Sequence, residues 1–507
     1  MHVRPPTSDE ILDILQGIDF LHGNVLLSGW YLTIDNFCLT ELPSYILWLA
    51  VFGKNSLACY FVIPSIEYLF IVILALFLSM RSINLNYRNI LALSFIFLLI
   101  GTPPDNSPAF IAVCHIMDIS FSLFSLALLT IITKKSFKNC RFIAFSFFVI
   151  SSMNVFSDPM VISYNYAPII LALGLEVFIG DDWKASLQAL ILVIFSVLSG
   201  LLMQHGTKLL GGFTVIPNGN SVVTDANVIP SSLIATIFGF LYISSSYIFG
   251  KSIVSFSSMR LAVWIGGLVF NSKNQKIFHK TKTRDSFLNN CLLISFVFTL
   301  LACFLSGNFS NVINNLAFTG GAANRYLLPS VIYGAILLAR TSGDFAYKLP
   351  TNRFRVVFIL VLFFAAAASL AAHVKATVNM FRSPSSITNS PAVSVSKWLL
   401  EQNLTCGIGE YWSASIISVL SHGQVIVRAV IPAADGSVQP YLWVSKDEWY
   451  KGKTSPGFYI EQSGMSTPNL IETYGQPKEV ENIDGYKIFV FSEKSKGAGM
   501  KLQCKLD

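Results

Sequence analysis

The long apolar runs of this chain constrain its fold more than any other feature. They recur between residues 58 and 374, and most approach the ~20 residues that a helix needs to cross the hydrocarbon core of a bilayer. Charged residues make up only 12% of the 507 residues, about half the usual share in soluble domains. The sequence therefore predicts an α-helical polytopic membrane protein. The clearest runs lie at 58–80, 90–103, 109–133, 142–157, 161–180, 184–203, 286–306, 326–340 and 354–374.

Loop charges predict which side each loop faces, because lysine and arginine are enriched in cytoplasmic loops. The stretches 204–230 and 307–325 carry few positive charges and are expected to face outward. The N-terminal segment and everything after residue 375 fall on the same outer side. Alternate loops hold basic clusters and are expected inside: Arg81 with Arg88, Lys134 and Lys135 with Lys138 and Arg141, Lys184, the residues from Lys273 to Arg284, and Arg340 with Lys348, Arg353 and Arg355.

The region between the outer stretch 204–230 and the basic cluster at residue 273 contains two short apolar segments, Ser232–Gly250 and Met259–Phe270. An odd number of crossings must separate an outer loop from an inner one. One segment is therefore expected to cross, and the other to lie flat in the outer interface as an amphipathic helix. This reading predicts about ten spans in a multi-pass protein of the inner (plasma) membrane.

Three regions follow from these patterns: an outward acidic first loop at 1–57, a transmembrane bundle at 58–375 with an outward loop at 204–232, and an extracytoplasmic domain at 376–507. The first loop is too acidic to cross a bilayer. No basic stretch followed by an apolar stretch marks a cleavable signal peptide in it. Either the first span acts as a reverse anchor, or a helix precedes Met1; the loop-like composition favours the second.

The C-terminal region has the mixed periodicity of a small α/β domain. Helices are predicted at 393–401, 413–422 and 468–474, and strands at 407–411, 425–431 and 486–492. It contains no glycine-rich nucleotide-binding motif. Cys406 and Cys504 are the cysteines of this region, and they either form a disulfide or remain free thiols. The remaining cysteines are scattered without the spacing of a metal site.

The outward segments collect a small set of reactive side chains of both signs of charge. A base near an acceptor hydroxyl and a cation near a departing phosphate are what transfer from a lipid phosphate requires. The carboxylates Asp9, Glu10 and Asp158 are therefore candidate catalytic groups. The candidate substrate-binding residues on the same face are Glu41, His205, Lys208 and Arg325.

Each candidate also has a structural interpretation. Asp9 and Glu10 can cap a helix that begins near Ile11. Asp158 lies in Phe-Ser-Asp-Pro, a sequence in which aspartate bonds its own turn. Arg325 can anchor a helix end at the lipid headgroups, and Glu41 can be an ordinary loop charge.

The apolar spans themselves contain the carboxylates Glu67, Asp118 and Glu176. Glu67 and Asp118 either pair within the bundle or line a polar cavity, and His115, one helical turn from Asp118, can bond to it. A divalent metal ion would need outward carboxylates brought together, and Asp9 with Asp158 is the available pair. In the C-terminal domain, Trp412 is predicted to be a core or interface residue rather than a platform for a sugar ring.

Some of these motifs resemble a known family. The early acidic residue, the run Gly23-Asn-Val-Leu-Leu-Ser-Gly-Trp30, Glu41-Leu-Pro and Phe52-Gly are similar to the first external loop of GT-C glycosyltransferases, multispanning enzymes that use polyprenyl-phosphate sugars. Arg325-Tyr326-Leu-Leu-Pro329 resembles an Arg-Tyr-x-x-Pro pattern of the same family. The resemblance covers residues 7–340 in architecture, and about thirty residues as motifs. It implies that Asp9 is the catalytic acid or base and that Arg325 is the phosphate ligand. Tyr326, in the same motif, is a further candidate substrate-binding residue.

The sequence therefore predicts an inverting membrane glycosyltransferase. It would move a sugar from a polyprenyl-phosphate donor to a glycan, lipid or protein acceptor on the outer face, as in cell-envelope polysaccharide assembly. A transporter or flippase of lipid-linked glycans and a non-catalytic assembly subunit are the alternatives. The net charge of +7 does not indicate nucleic-acid binding, because the positive residues cluster in short loops between apolar runs. Membrane lipid is the other expected partner.

Overall fold

The chain forms two compact units. We analysed a computed structural model, which describes residues 8–53, 59–80, 87–100, 115–133, 137–179, 182–216, 229–244, 256–274, 286–305, 326–348, 351–382, 390–462, 469–492 and 500–505. One unit, here the sheet unit, combines Met1–Ile63, Met203–Asn218 and Asn379–Asp507. The other, here the helical unit, combines Pro64–Leu202 and Gly219–Val378. The sheet unit therefore unites three stretches that are far apart in the sequence.

Most described residues are helical. The helices are α1 Ser8–Leu21, α2 Leu42–Phe52, α3 Cys59–Met80, α4 Tyr87–Leu99, α5 Ile116–Ile132, α6 Arg141–Ser157, α7 Ala167–Ile179, α8 Trp183–Thr207, α9 Ile229–Ile243, α10 Phe256–Asn274, α11 Ser286–Leu305, α12 Leu328–Lys348, α13 Asn352–Arg382, α14 Pro391–Glu401, α15 Tyr411–Leu420 and α16 Leu470–Tyr474. A π-helical turn, Ile162–Tyr166, leads directly into α7.

The helical unit has the character of a membrane bundle. Within the described residues, four helices are long and apolar enough to cross a bilayer: Val62–Met80, Ile162–Ile179, Trp183–Leu210 and Phe287–Leu305. Shorter apolar helices, including α4, α5 and α6, complete the unit. Helix α12 packs against α4, α10 and α11, so it lies at the centre of the packing. The two segments between 230 and 273 form α9 and α10, which pack on α11 and α12.

The sheet unit contains the predicted α/β domain. Its strands are β1 Trp30–Leu32, β2 Thr214–Val215, β3 Cys406–Gly409, β4 Ile426–Pro432, β5 Val438–Pro440, β6 Ser445–Lys446, β7 Phe458–Gln462, β8 Glu479–Ile483 and β9 Tyr486–Val490. A six-stranded sheet has the order β5-β4-β3-β7-β9-β8, and β3 is parallel to both β4 and β7. The predicted helices and strands of this domain are confirmed to within two residues at most ends, whereas β5, β6, β7 and β8 were not predicted.

The N-terminal segment is structured rather than an extended loop. Helix α1 packs on α2 and on α15 of the C-terminal domain. Strand β1 pairs with β2 in parallel and with β6 in antiparallel fashion, and Trp30 lies opposite Lys446. Because these three stretches form one folded unit, they must share one side of any membrane that the chain crosses.

A buried ion pair joins the two ends of the sheet unit. The Lys446 ammonium lies 3.1 Å from one carboxylate oxygen of Asp19. The other oxygen accepts hydrogen bonds from the Trp30 indole at 2.7 Å and the Asn24 amide at 2.6 Å. Asp19 and Lys446 are each only 6% exposed. A carboxylate removed from water needs such compensation on both oxygens, and here it has it.

The C-terminal tail is held by a covalent and a cationic contact. Cys406 at the start of β3 and Cys504 form a disulfide that closes a separation of 98 residues. The buried guanidinium of Arg428 on β4 donates to the carbonyl oxygens of Gln503 and Lys505 at 3.1 and 2.9 Å. The same guanidinium lies 4.0 Å from the centre of the Trp449 ring. The disulfide was one of two alternatives left by the sequence.

Substituting Lys446 tests the importance of the ion pair. We expect Lys446→Met to lower the free energy of unfolding by about 3–5 kcal/mol, because it leaves the Asp19 carboxylate buried without its cation. The midpoint of thermal unfolding of the purified full-length protein measures this loss. Lys451→Met is the matched control, because Lys451 forms an exposed pair with Asp447 that should contribute little. Equal midpoints for the two variants would contradict the prediction.

Candidate functional site

The candidate site lies at one end of the helix pair α5–α6. His115 directly precedes α5, and Asp158 directly follows α6. The two helices are consecutive and pack against each other, so the start of α5 and the end of α6 meet at the same end of the pair. The predicted cytoplasmic residues Lys134 to Arg141 connect the opposite ends. This geometry brings His115 and Asp158 together at the end predicted to face outward.

A hydrogen bond links the two side chains. His115 Nδ1 lies 2.9 Å from Asp158 Oδ2. The other oxygen of Asp158 accepts the backbone N–H of Met160 at 2.8 Å, so Asp158 also bonds its own turn. Asp158 is fully buried and His115 is 7% exposed. The turn interpretation and the site interpretation of Asp158 are therefore compatible in one side chain.

His115 is held in an unusual backbone conformation. Its φ is +83°, in the left-handed region that non-glycine residues rarely adopt. Such conformations cost of order 1–3 kcal/mol and persist where surrounding contacts hold them. The hydrogen bond to Asp158 is one such contact. A second is the ring of Tyr326, whose centre lies 5.4 Å from that of the imidazole in an edge-to-face arrangement.

Asp118 completes a group of three ionisable side chains. It lies in the first turn of α5, is fully buried, and has a carboxylate oxygen 3.8 Å from His115 Nδ1. This distance exceeds a hydrogen bond, so the imidazole bonds to Asp158 rather than to Asp118 as the sequence had suggested. The Tyr164 side chain, on the π-helical turn, is within electrostatic range of both carboxylates. π-Helical turns are frequent at functional sites.

Hydrogen bonds of side-chain amides and hydroxyls, here the amide network, hold together the helices that carry His115, Asp118 and Asp158. The Asn154 side-chain amide donates to the backbone oxygen of Asp118 at 3.2 Å and to Ser122 Oγ at 3.0 Å. It also lies 3.5 Å from the Tyr166 hydroxyl. Further along, the Tyr333 hydroxyl donates to Asn165 Oδ1 at 2.9 Å. Neutral hydrogen-bonded groups thus fasten α5, α6, the π-helical turn and α12 together beneath the three ionisable residues.

The arrangement can support two kinds of chemistry. A histidine that is oriented by a carboxylate can accept a proton from a hydroxyl group. Alternatively, one ligand atom from each of His115, Asp118 and Asp158 lies within 4.8 Å of the others, and one nitrogen with carboxylate oxygens suits a divalent cation such as Zn²⁺ or Mn²⁺. The carboxylate pair expected for a metal was Asp9 with Asp158. The Asp9 side chain lies outside the described residues, among which His115 and Asp118 lie beside Asp158.

The other predicted site residues are distributed as follows. Tyr326 contacts the site through His115 as described, while Arg325 lies outside the described residues. Asp9 and Glu10 occupy the first turn of α1, which begins at Ser8, although their side chains are outside the described residues. Glu41 is fully buried at the start of α2, so it is not an exposed loop charge. His205 and Lys208 are exposed at the end of α8 and just beyond it. Asp9, Glu10, Glu41, His205 and Lys208 all belong to the sheet unit.

Two important residues have only weak signals in the sequence. His115 lies one helical turn from Asp118, but its pairing with Asp158 depends on the meeting of two helix ends. Asn154 is a polar amide within an apolar span, which is costly unless its hydrogen bonds are made. That cost is the signal that could have identified it.

Comparison with known proteins adds no further constraint: no protein-family model matches the chain, and no curated protein matches its sequence.

The amide network makes a prediction about stability. We expect Asn154→Ala to lower the free energy of unfolding by about 1–3 kcal/mol, because it leaves buried acceptors on α5 without their donor. Thermal unfolding of the purified protein in detergent measures the change. Asn139→Ala is the control, because Asn139 is exposed at the opposite end of α6. An Asn154 variant as stable as the control would show that the network does not hold the helices.

Proposed function

We propose that the protein is a membrane glycosyltransferase that moves a sugar from a polyprenyl-phosphate donor to an acceptor hydroxyl. The observation that carries this proposal is the buried His115–Asp158 pair with the Tyr326 ring against it. Asp158 and Tyr326 were singled out from different parts of the sequence, and both contact the same imidazole. A residue oriented for proton transfer, beside a motif associated with phosphate binding, is the combination that glycosyl transfer from a lipid phosphate needs.

In the proposed mechanism, His115 donates its Nδ1 proton in the bond to Asp158, which assigns the lone pair to Nε2. Nε2 accepts the proton of the acceptor hydroxyl as its oxygen attacks the anomeric carbon. The bond between that carbon and the phosphate oxygen breaks, and the phosphate leaves with the bonding electrons. The configuration of the sugar is inverted by this single displacement. Arg325, adjacent to Tyr326 in the chain, is the proposed cation for the leaving phosphate.

Five further residues keep the roles that the sequence suggests for them, and only that of Asp9 comes from the family resemblance. Asp9 is the second candidate for the catalytic base, with Glu10 beside it in the chain. Lys208 is a second candidate cation, and His205 and Glu41 remain candidate contacts for the substrate. These assignments are parts of the proposal that separate substitutions can test.

The Cys406–Cys504 disulfide supports an outward location of the sheet unit. Structural disulfides persist in oxidising compartments and are rare in the cytosol. An outer-face reaction in the inner membrane, within a bundle of about ten spans, is the topology that loop charge predicts. The acceptor, whether glycan, lipid or protein, would then be on the outer face of the membrane.

Transfer activity tests the proposal directly. Purified protein in detergent is incubated with a radiolabelled polyprenyl-phosphate sugar and an extract of acceptor glycans and lipids, and loss of label from the donor is followed. We expect His115→Ala and Asp158→Asn to reduce the rate about 10²- to 10⁴-fold, since the first removes the proposed base and the second removes the carboxylate that orients it. His422→Asn, an exposed substitution in the C-terminal domain, should leave the rate unchanged.

Further arms separate the alternatives. Arg325→Ala and Asp9→Asn should abolish transfer without loss of folded protein if their proposed roles hold. Loss of activity on treatment with EDTA, with recovery on adding Mn²⁺, would assign His115, Asp118 and Asp158 to a metal ion instead of to proton transfer. Movement of intact donor across proteoliposomes, with no loss of sugar from the lipid, would overturn the proposal in favour of a flippase.

A further inference from the structure

The C-terminal domain contains a second candidate ligand-binding site, at the carboxyl end of β3. From β3 the chain passes through α15 to β4 on one side, and later returns as β7 on the other side of β3. The order of the strands therefore reverses at the carboxyl end of β3. In open sheets with parallel strands, ligands bind at such a switch point, where the loops on the two sides diverge.

Glu410 lies at this switch point, directly after β3 and at the N-terminus of α15. One carboxyl oxygen accepts the backbone N–H of Gln462 at the end of β7, at 3.0 Å. The Glu410 backbone N–H donates to the Ile460 oxygen at 3.1 Å. The carboxyl group is thus held between the ends of β3 and β7, and the residue is only 4% exposed.

Three buried oxygens around this point have no hydrogen-bond partner among the residues that the structure describes. They are the second carboxyl oxygen of Glu410, the hydroxyl of Ser413 and the hydroxyl of Tyr459. Ser413 lies in the first turn of α15, and Tyr459 is on β7 within electrostatic range of Glu410. Ser413 and Tyr459 are fully buried. Buried polar groups in native proteins are nearly always bonded, so these oxygens indicate a missing partner.

Aromatic side chains surround the N-terminus of the same helix. Trp412 is 38% exposed, so it is not a core residue, which was one of the two roles predicted for it from the sequence. Its ring centre lies 5.0 Å from that of Tyr411. Tyr411 in turn contacts Tyr441 edge to face at 5.3 Å, and Tyr441 stacks on Trp443 at 6.4 Å. An exposed indole that is held by a neighbouring ring offers a rigid apolar surface beside the polar groups.

The charges at this point restrict the class of ligand. The N–H groups at the start of α15 and the positive end of its dipole disfavour a cation. The Glu410 carboxyl disfavours an anion, and the domain lacks a glycine-rich loop for nucleotide phosphates. A neutral molecule rich in hydroxyl groups satisfies both conditions, because its hydroxyls donate to and accept from the unpartnered oxygens while an apolar face packs on the indole.

We propose that the carboxyl end of β3 is a saccharide-binding site in which Glu410, Ser413 and Tyr459 bond the hydroxyl groups of a neutral pyranose and Trp412 packs on its ring. Binding itself does not require the glycosyltransferase activity. The inference rests on the proposed function only in assigning this saccharide to the acceptor of the transfer reaction.

The ionisation of Glu410 makes a separate prediction. Burial raises the pKa of Glu410 from 4.5 to about 7. The nearby Glu461 carboxylate adds to this rise, and the hydrogen bond from the Gln462 N–H opposes it. Tyr459 and Tyr486 are the other titratable groups near Glu410. Between pH 4.5 and 7, Glu410 is ionised in the unfolded chain but still protonated in the folded protein. The free energy of unfolding therefore falls as pH rises through this range. We expect the unfolding midpoint of Glu410→Gln, relative to the native protein, to increase from about pH 4.5 to 7 and then level off. A difference independent of pH would contradict this.

Saccharide binding can be measured on the purified full-length protein in a detergent that contains no sugar. Saturation-transfer NMR is recorded with glucose, galactose, mannose and N-acetylglucosamine, and dissociation constants are obtained by titration. We expect at least one of these sugars to bind, and Trp412→Ala and Glu410→Ala each to weaken binding at least about tenfold, because each removes a principal contact. Trp398→Phe and Glu401→Gln are the matched controls on α14 and should bind as the native protein does.

Folding of each variant is checked by formation of the Cys406–Cys504 disulfide, since Cys406 lies on the strand that leads to Glu410. Glu410→Gln is the conservative alternative if Glu410→Ala fails this check. Absence of binding by all four sugars, or binding that survives both the Trp412 and the Glu410 substitutions, overturns the inference. Transfer activity without binding at this site would leave the proposed function intact, whereas binding without transfer would leave only the saccharide site.

Discussion

The sheet unit depends on one buried ion pair. Asp19 and Lys446 are 427 residues apart in the chain, yet they meet in an interior where neither charge could remain alone. The Trp30 indole and the Asn24 amide complete the hydrogen bonds of the carboxylate. Because Trp30 and Lys446 also lie opposite each other in paired strands, the ion pair and the strand register support the same arrangement. The N-terminal and C-terminal stretches are consequently one folding unit, and the membrane topology must deliver both to the same side.

Buried polar groups in the helical unit are likewise stabilised by partners from distant segments. A polar side chain in an apolar interior is stable only when its partners are supplied by the protein. Asn154 supplies them for the start of α5, and Asp158 divides its two oxygens between the His115 imidazole and its own turn. His115 is held in a left-handed conformation between Asp158 and Tyr326. The site is therefore formed by the packing of helix ends. A change in the packing of α5, α6 or α12 would alter the positions of His115, Asp118 and Asp158.

Features that depend on residues close together in the sequence could be predicted, whereas contacts between distant segments could not. The apolar runs and the buried strand β4 have strong local patterns, and their helices and strand were predicted. Strand β8 is mostly exposed and reads Glu-Val-Glu-Asn-Ile, so it lacks the apolar alternation that would mark it. Asp158 could be chosen as a candidate because it is a carboxylate at the end of an apolar run. Its partner His115 and the pair of Asp19 with Lys446 could not, because they exist only after distant segments have packed.

The arrangement of charge at one end of the α5–α6 pair bears on the proposed proton transfer. His115, Asp118 and Asp158 collect at one end of the α5–α6 pair, whereas the network beneath them consists of amides and hydroxyls from Asn154, Ser122, Asn165 and Tyr333. These neutral hydrogen bonds help to fix the geometry of the three ionisable groups. Proton transfer at a helix end requires that fixed geometry, because a base is effective only within hydrogen-bonding distance of the hydroxyl it serves. The hydrogen-bonded end of the α5–α6 pair meets this requirement of the proposed proton transfer.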